Sequence, residues 1–297
     1  MFAVITPALI TGSIAGRMKF KSLFLFLVLW SLVVYYPMAH MVWADGGFLA
    51  KIGSVDFAGG NVVHISSGIT ALVLCILLGK RYDYARANYK IHSIPMVALG
   101  AFILVFGWFG FNAGSALAAD GLAAHAFLTT GVSAAAAMLS WMLCDVIFNK
   151  KPTFVGASTG FVPIWAAIII GLTTSPICFF MISWVKKKFG YDDALDAFGC
   201  HGIGGIWGGI CTGLFGKATI NDIGQGNGLF FGETHLFFAQ LASILITIAV
   251  AVVGTLICYG ITRLITGSIR VEERSERIGL DRSEHGESAY PSFNGLD

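Results

Sequence analysis

Two histidines stand in settings that point to chemistry. His64 and His201 each lie inside a long apolar run, and each follows an aspartate by eight positions, Asp56 and Asp193. The likeness extends along both runs. Asp56, His64, Gly68, Gly79 and Lys80 match Asp193, His201, Gly205, Gly216 and Lys217, so both stretches read D-x7-H-x3-G-x10-G-K. A neutral imidazole offers one N–H donor and one ring-nitrogen acceptor. Apolar surroundings disfavour the charged imidazolium, and two neighbouring rings repel each other if both are charged. A neutral pair suits a small molecule that both donates and accepts hydrogen bonds. Ammonia and water both fit, and the rings can also relay a proton. A bare alkali cation would find too few oxygen ligands there.

The elements that position these rings follow from composition. The 297 residues are 56% hydrophobic and 12% charged, with a mean hydropathy of +0.76. Soluble domains carry about 25% charged residues, so the solvent this chain is built for is the bilayer. The net charge of +2 and the absence of a basic, aromatic-interleaved patch argue against nucleic acid as a partner. A crossing helix needs about 20 apolar residues. That criterion predicts an all-α polytopic membrane bundle with spans at 1–16, 22–43, 57–79, 94–115, 122–148, 163–185, 198–216 and 236–262. Glycine is abundant, at 37 residues, and small faces let membrane helices approach closely.

Lysine and arginine set the expected sidedness. Seventeen of them fall in the connections around 17–21, 80–90, 150–151 and 186–188 and in the region from Arg263 onward. Only Lys51 and Lys217 fall in the opposite loops. The first set is therefore expected to be cytoplasmic, with the N-terminus outside and the C-terminus inside. The His64 helix then runs inward and the His201 helix outward, an inverted-topology repeat of the kind that places binding sites near the midplane. Eight helical residues rise about 12 Å, and half of the hydrocarbon core is about 15 Å. Asp56 and Asp193 near opposite ends thus set both rings at mid-depth, where ionisable groups are costly and usually functional.

Each aspartate has two readings. It caps a helix start and matches the dipole, or, for Asp56, it also attracts a cation on the outer side. The run Gly107-Trp108-Phe109-Gly110-Phe111-Asn112-Ala113-Gly114-Ser115 ends a span on that side, as does Trp43. An aromatic face attracts a cation by about 0.5–2 kcal/mol, so Trp43, Phe111 and Ser115 form a candidate outer vestibule. An interfacial aromatic belt would enrich tryptophan equally.

Residues 152–185 join two basic connections in 34 residues, whereas two spans and a turn need about 40. A single helix of that length would run about 51 Å and end on the wrong side. The expectation is a re-entrant half-helix at 153–162, turning near Pro163, then one full span. The run from Phe2 to Gly16 has no charged n-region and no clean cleavage site, so it reads as a span rather than a signal peptide. The chain divides into a membrane domain, 1–270, and a charged cytoplasmic tail, 271–297, partly ordered at best. The six cysteines lack metal-ligand spacing and read as small buried hydrophobes. His40, His92, His125, His235 and His285 sit near span ends or in loops.

Several segments resemble the ammonium transporter family (Amt/MEP/Rh), on its Amt side. They are Asp56 through His64 (DFAGGNVVH), Pro37 through Trp43 (PMAHMVW), Gly107 through Ser115 (GWFGFNAGS) and Asp196 through Gly202 (DAFGCHG). Two tail motifs join them, Gly279-Leu280-Asp281 and His285 through Tyr290 (HGESAY). The matches span nearly the whole chain in family order. The resemblance implies a homotrimer with one pore per subunit and no enzymatic activity or cofactor. His64 and His201 would be the twin histidines, Trp43 and Ser115 the outer recruitment site, and Phe2 and Phe111 a stacked aromatic gate. Asp56 would be the family's essential aspartate, and Asp196, rather than the Asp193 of the repeat, its counterpart before the second histidine. Ammonium would be recruited outside and deprotonated, ammonia passing the histidines and the proton following. The tail would couple subunits and meet a PII-type signalling protein. Family members have about eleven spans, so this chain is expected to begin at the third and to lack about a dozen residues after Gly160.

Three other readings compete. An ammonium sensor would share the site and signal through the tail. A haem or metal protein would use His64 and His201 as ligands, although no cofactor motif accompanies them. An inactive remnant would keep the packing alone.

Overall fold

In hydrocarbon every backbone N–H and C=O must be satisfied within the chain, which leaves helices as the form these apolar runs take. The structure, a computed structural model, describes residues 1–84, 86, 92–149, 162–221 and 226–288. It is a helical bundle. Among the described residues six helices are long and apolar enough to cross a membrane, beginning at Phe20, Gly60, Ile94, Gly121, Ile164 and His235.

Helix α1 (Phe2–Ile14) is shorter than its expected span and carries Pro7 inside it. The next span is broken into α2 (Phe20–Trp30), a π-helical turn at Ser31–Tyr35 and α3 (Tyr36–Trp43). Pro37 sits in the first turn of α3, where a missing N–H costs least. A short α4 (Phe48–Lys51) follows. Then come α5 (Ser66–Leu78), α6 (Ile94–Ala113) and α7 (Gly121–Asn149). Helix α8 (Ile164–Phe180) passes through a π turn at Met181–Val185 into α9 (Lys186–Phe189), one span that runs a turn beyond the expected 185. Helices α10 (Ile203–Phe215) and α11 (His235–Thr266) complete the bundle. Of the half-helix expected at 153–162, residues 153–161 lie outside the described residues. The span that follows it begins at Ile164, capped by Pro163, as one continuous element.

The largest core gathers α1, α2, α3, α5 and α11 around Trp30, Phe26, Ile10 and Leu74. A buried polar link runs through it. Trp30 Nε1 donates to Thr70 Oγ1 (2.9 Å), to which Thr255 Oγ1 also donates (2.9 Å). On the other flank α7 and α8 pack along each other, and Gly171 lets α8 lie against the Ser133 carbonyl. Helices α5 and α10 cross between these two flanks.

The tail is anchored at its start and exposed from residue 281 through 288. Val271 N donates to Arg17 O and Lys19 N to Ile269 O (both 2.9 Å), tying the tail's start to the α1–α2 connection. Two short helices, α12 (Glu273–Ile278) and α13 (Leu280–Ser283), continue along the basic face. There Glu276 accepts from Tyr82 N (2.7 Å) and pairs with Arg270 (2.8 Å), and the Arg277 guanidinium lies 3.8 Å from the Tyr82 ring centroid. Some of the tail's charges thus find partners on the 80–84 connection and at Arg270.

Candidate functional site

Both histidine helices begin in the same way. Asp56 turns its carboxylate back onto the chain, accepting from Gly59 N (2.7 Å) and Gly60 N (2.6 Å) on Oδ1 and from Asn61 N (2.8 Å) and Val62 N (3.1 Å) on Oδ2. Gly59 makes the wrap possible with φ +97°, a conformation L side chains rarely adopt. Asp193 does the equivalent work on the other helix, accepting from Ala197 N (3.1 Å) and Phe198 N (2.7 Å). Each capped start leads into a π-helical turn, Gly60–Ile65 and Phe198–Gly202, and each turn carries its histidine. π turns widen a helix and recur at functional sites. Asp196 is placed otherwise. It has φ +58° and pairs with Lys186 (2.6 Å), whose ammonium also donates to Asp193 O (2.6 Å).

The repeat glycines explain how the rings meet. A Cβ on Gly68 would strike the backbone of Gly202, and one on Gly205 would come within 3.1 Å of His64 Cβ. Each π turn therefore packs against the body of the opposite helix. At that crossing His64 Nδ1 lies 3.2 Å from His201 Nδ1, with ring planes 8° apart. One nitrogen donates and the other accepts, which fixes the two tautomers together.

A cavity of about 140 Å³ opens onto both rings. Asp56 and Asn61 line it toward one end. Cys178, Cys200 and Gly204 line it beside His201, and Trp108, Asn112, Trp141 and Thr174 close its side. Of these, Trp108 and Asn112 lie in the aromatic run noted in the sequence. Trp141, Thr174 and Cys178 carry no local sequence signal, because their role depends on how α7 and α8 turn toward α10, whereas Cys200 lies next to His201 in the quoted Asp196–Gly202 segment.

The residues expected to form an outer vestibule are absent from that cavity's wall. Trp43 Nε1 donates to the Asp56 carbonyl (2.8 Å), which fastens the end of α3 to the start of the His64 helix. Phe2 lies 5.3 Å from Trp43 and 4.1 Å from Phe111, centroid to centroid. The Phe2–Phe111 pair meets edge to face, at 63°, rather than stacked, the arrangement that ring quadrupoles favour. Ser115 donates to Phe111 O (3.1 Å), which leaves its lone pairs as acceptors.

At the basic face a buried clamp holds the opposite end of the His64 helix. Arg17, fully buried, donates to Gly79 O (2.6 Å), Asp192 O (2.6 Å) and Ser13 O. Arg270 donates to Leu78 O and Lys80 O (both 2.7 Å). Asp192 accepts from Arg81 N (2.7 Å) and from its guanidinium (2.5 Å). Burial opposes the charge on Asp192, but the Arg81 hydrogen bonds and Arg17 outweigh it and hold the carboxyl below the usual carboxylate range. No group of three or more His, Cys, Asp or Glu among the described residues is arranged to hold a metal ion.

This geometry has relatives. The model of the Ammonium Transporter Family matches residues 1–290. An ammonium transporter of Bacillus subtilis (strain 168) is 47% identical over 302 aligned residues, covering 97% of this chain and 74% of that protein. The crystal structure of Candida albicans Mep2 aligns with a TM-score of 0.83 at 30% identity, over 92% of this chain and 65% of its own, so the chain spans just under two thirds of Mep2. A sensor Amt protein aligns with a TM-score of 0.84 at 26% identity, over 95% of this chain and 74% of its own. The Bacillus subtilis relative is named as a transporter and the Amt neighbour as a sensor, neither as an enzyme. A capped, inverted pair of histidine helices and a family match that runs from the first residue into the tail lead to one conclusion: the chain belongs to the ammonium transporter family.

Proposed function

We propose that this chain carries ammonium nitrogen across the bilayer through the cavity that holds His64 and His201. The observation that supports this most is the pairing of two imidazoles, 3.2 Å apart, from two helices that cross in opposite directions. Neutral rings locked in complementary tautomers offer a donor and an acceptor to a molecule the size of ammonia, and they give an alkali cation no oxygen cage. Trp43 and Ser115 receive ammonium at the outer face, and the Phe2–Phe111 pair gates the entrance. Asp56 and Asp193 hold the two helix starts, and Asp56 additionally favours positive charge at the outer end through the field of its carboxylate. Ammonium gives up its proton before the rings, ammonia passes them, and the proton follows.

The distribution of lysine and arginine supports a C-terminus on the cytoplasmic side of the cell membrane. The membrane domain is taken as 1–270 and the tail as 271–297. The family's threefold assembly and a PII-type protein at the basic face are the partners this reading carries. A sensor function is the second reading, favoured by the likeness to a sensor Amt protein and by the tail's docking on the 80–84 connection. Both are tested by uptake of labelled methylammonium into proteoliposomes, comparing the unmodified chain with His64→Ala and His201→Ala. Flux in the unmodified chain that falls in both variants supports transport. Equal rates in all three sink it.

A further inference from the structure

The cavity wall holds a feature that ammonia passage does not use. Cys178, on α8, and Cys200, in the π turn before His201, both line the cavity together with Gly204. The Cys178 Sγ lies 3.7 Å from the point where a Cβ on Gly204 would stand. Cys200 lies four residues before Gly204, in the π turn against which α8, the helix of Cys178, packs. Gly204 has no side chain at this place, and the nearest atoms to where its Cβ would stand are Cys178 Sγ (3.7 Å) and Thr174 Cγ2 (4.0 Å). The remaining cysteines, Cys75, Cys144, Cys211 and Cys258, are buried elsewhere and are absent from the cavity wall.

We propose that Cys178 and Cys200 form a two-coordinate site for a thiophilic divalent cation of closed-shell d10 character, with mercury(II) as the type case. Soft thiolates select such ions. Metal–thiolate bonds of about 2.3 Å arranged in line span about 4.6 Å, which suits two thiols beside Gly204. The charge balance also suits an apolar wall. Each thiol releases its proton to water, two sulfur–metal bonds form, and the bis-thiolate complex is neutral, so no ion is left in the low-dielectric interior. No electron is transferred. The ion would then stand in the lumen next to His201 and obstruct it.

The test reads binding and does not depend on transport. Purified protein in detergent is titrated with mercury(II) chloride, and the sulfur-to-mercury absorption in the ultraviolet is followed. The expected result is one equivalent bound in the unmodified chain, and loss of that equivalent in both Cys178→Ser and Cys200→Ser. Unchanged amplitude in either variant overturns the proposal. A second measurement needs no variant: alkylation by N-ethylmaleimide, mapped by mass spectrometry, with and without one equivalent of mercury. Protection of both Cys178 and Cys200 is expected. Protection of other cysteines instead, or failure of these two to be alkylated even without metal, overturns it.

Discussion

The crossing at Gly68 makes the most quantitative demand. If alanine replaces Gly68, the new Cβ lies 3.0 Å from the carbonyl carbon of His201 and nearer still to the Gly202 backbone. These are backbone atoms and cannot rotate away. Carbon contacts settle at about 3.5–4.0 Å, so the two helices must separate by roughly 1 Å. The His64–His201 distance of 3.2 Å then exceeds 4 Å, beyond hydrogen-bonding range. Overpacking of this kind costs about 1–3 kcal/mol, partly offset by the ~1 kcal/mol by which alanine favours a helix over glycine. Gly205→Ala should be milder, because its nearest neighbour, at 2.9 Å, is the Ile65 Cγ1 of a side chain that can shift. Gly110→Ala meets nothing within 4 Å and should be neutral or slightly stabilising. Methylammonium uptake and thermal unfolding in detergent are measured on all three. The expected order of loss is Gly68→Ala, then Gly205→Ala, then Gly110→Ala, with uptake abolished in the first. If Gly68→Ala matches Gly110→Ala in both assays, the reasoning about the crossing is wrong.

Three further outcomes follow from the same geometry. Asp193→Ala removes a buried cap and should cost about 1–2 kcal/mol, while Asp196→Ala removes a partly exposed ion pair and should cost under about 1 kcal/mol; reversed rankings in a chemical unfolding series would assign the repeat partner to Asp196. Asp192 is held below the usual carboxylate range, so its contribution to stability is full above about pH 4 and fades as pH falls through its depressed folded value; melting temperature followed down the acid range should drop less steeply in Asp192→Asn than in the unmodified chain, and parallel curves would dismiss the clamp. Trp43→Phe keeps the ring but loses the bond to the Asp56 carbonyl, worth about 0.5–1.5 kcal/mol; the concentration for half-maximal methylammonium uptake should rise about 2- to 10-fold with little change in maximal rate.

Much of this is legible in the sequence. Apolar run length identified the six long helices, because membrane solvent leaves the backbone few alternatives. The D-x7-H-x3-G-x10-G-K repeat contained most of the site. Its aspartates are the caps and its histidines the paired rings. Its first glycines are the crossing points, and its last ones, Gly79 and Gly216, end α5 and α10. The family pattern directed attention to Asp196, whereas Asp193 makes the contacts that correspond to those of Asp56. Other features were not legible because they depend on tertiary placement. The π turns at Ser31–Tyr35 and Met181–Val185 leave no pattern in an all-apolar stretch. Trp141 and Thr174 resemble every other residue facing lipid or core until α7 and α8 dock. The tail's composition suggests partial order at best, and it does not reveal that Glu276 pairs with Arg270 and accepts from Tyr82 N.

The central claim is that His64 and His201 act as a single unit in a conduction path. Initial rates of methylammonium uptake by His64→Ala, His201→Ala and the double variant test it most directly. Residues that work as one unit lose nearly everything with the first removal, and the second adds little. The account predicts that both single variants fall far below the unmodified chain and that the double variant falls no further. Losses that simply multiply, or uptake in the double variant as fast as in the unmodified chain, would contradict it.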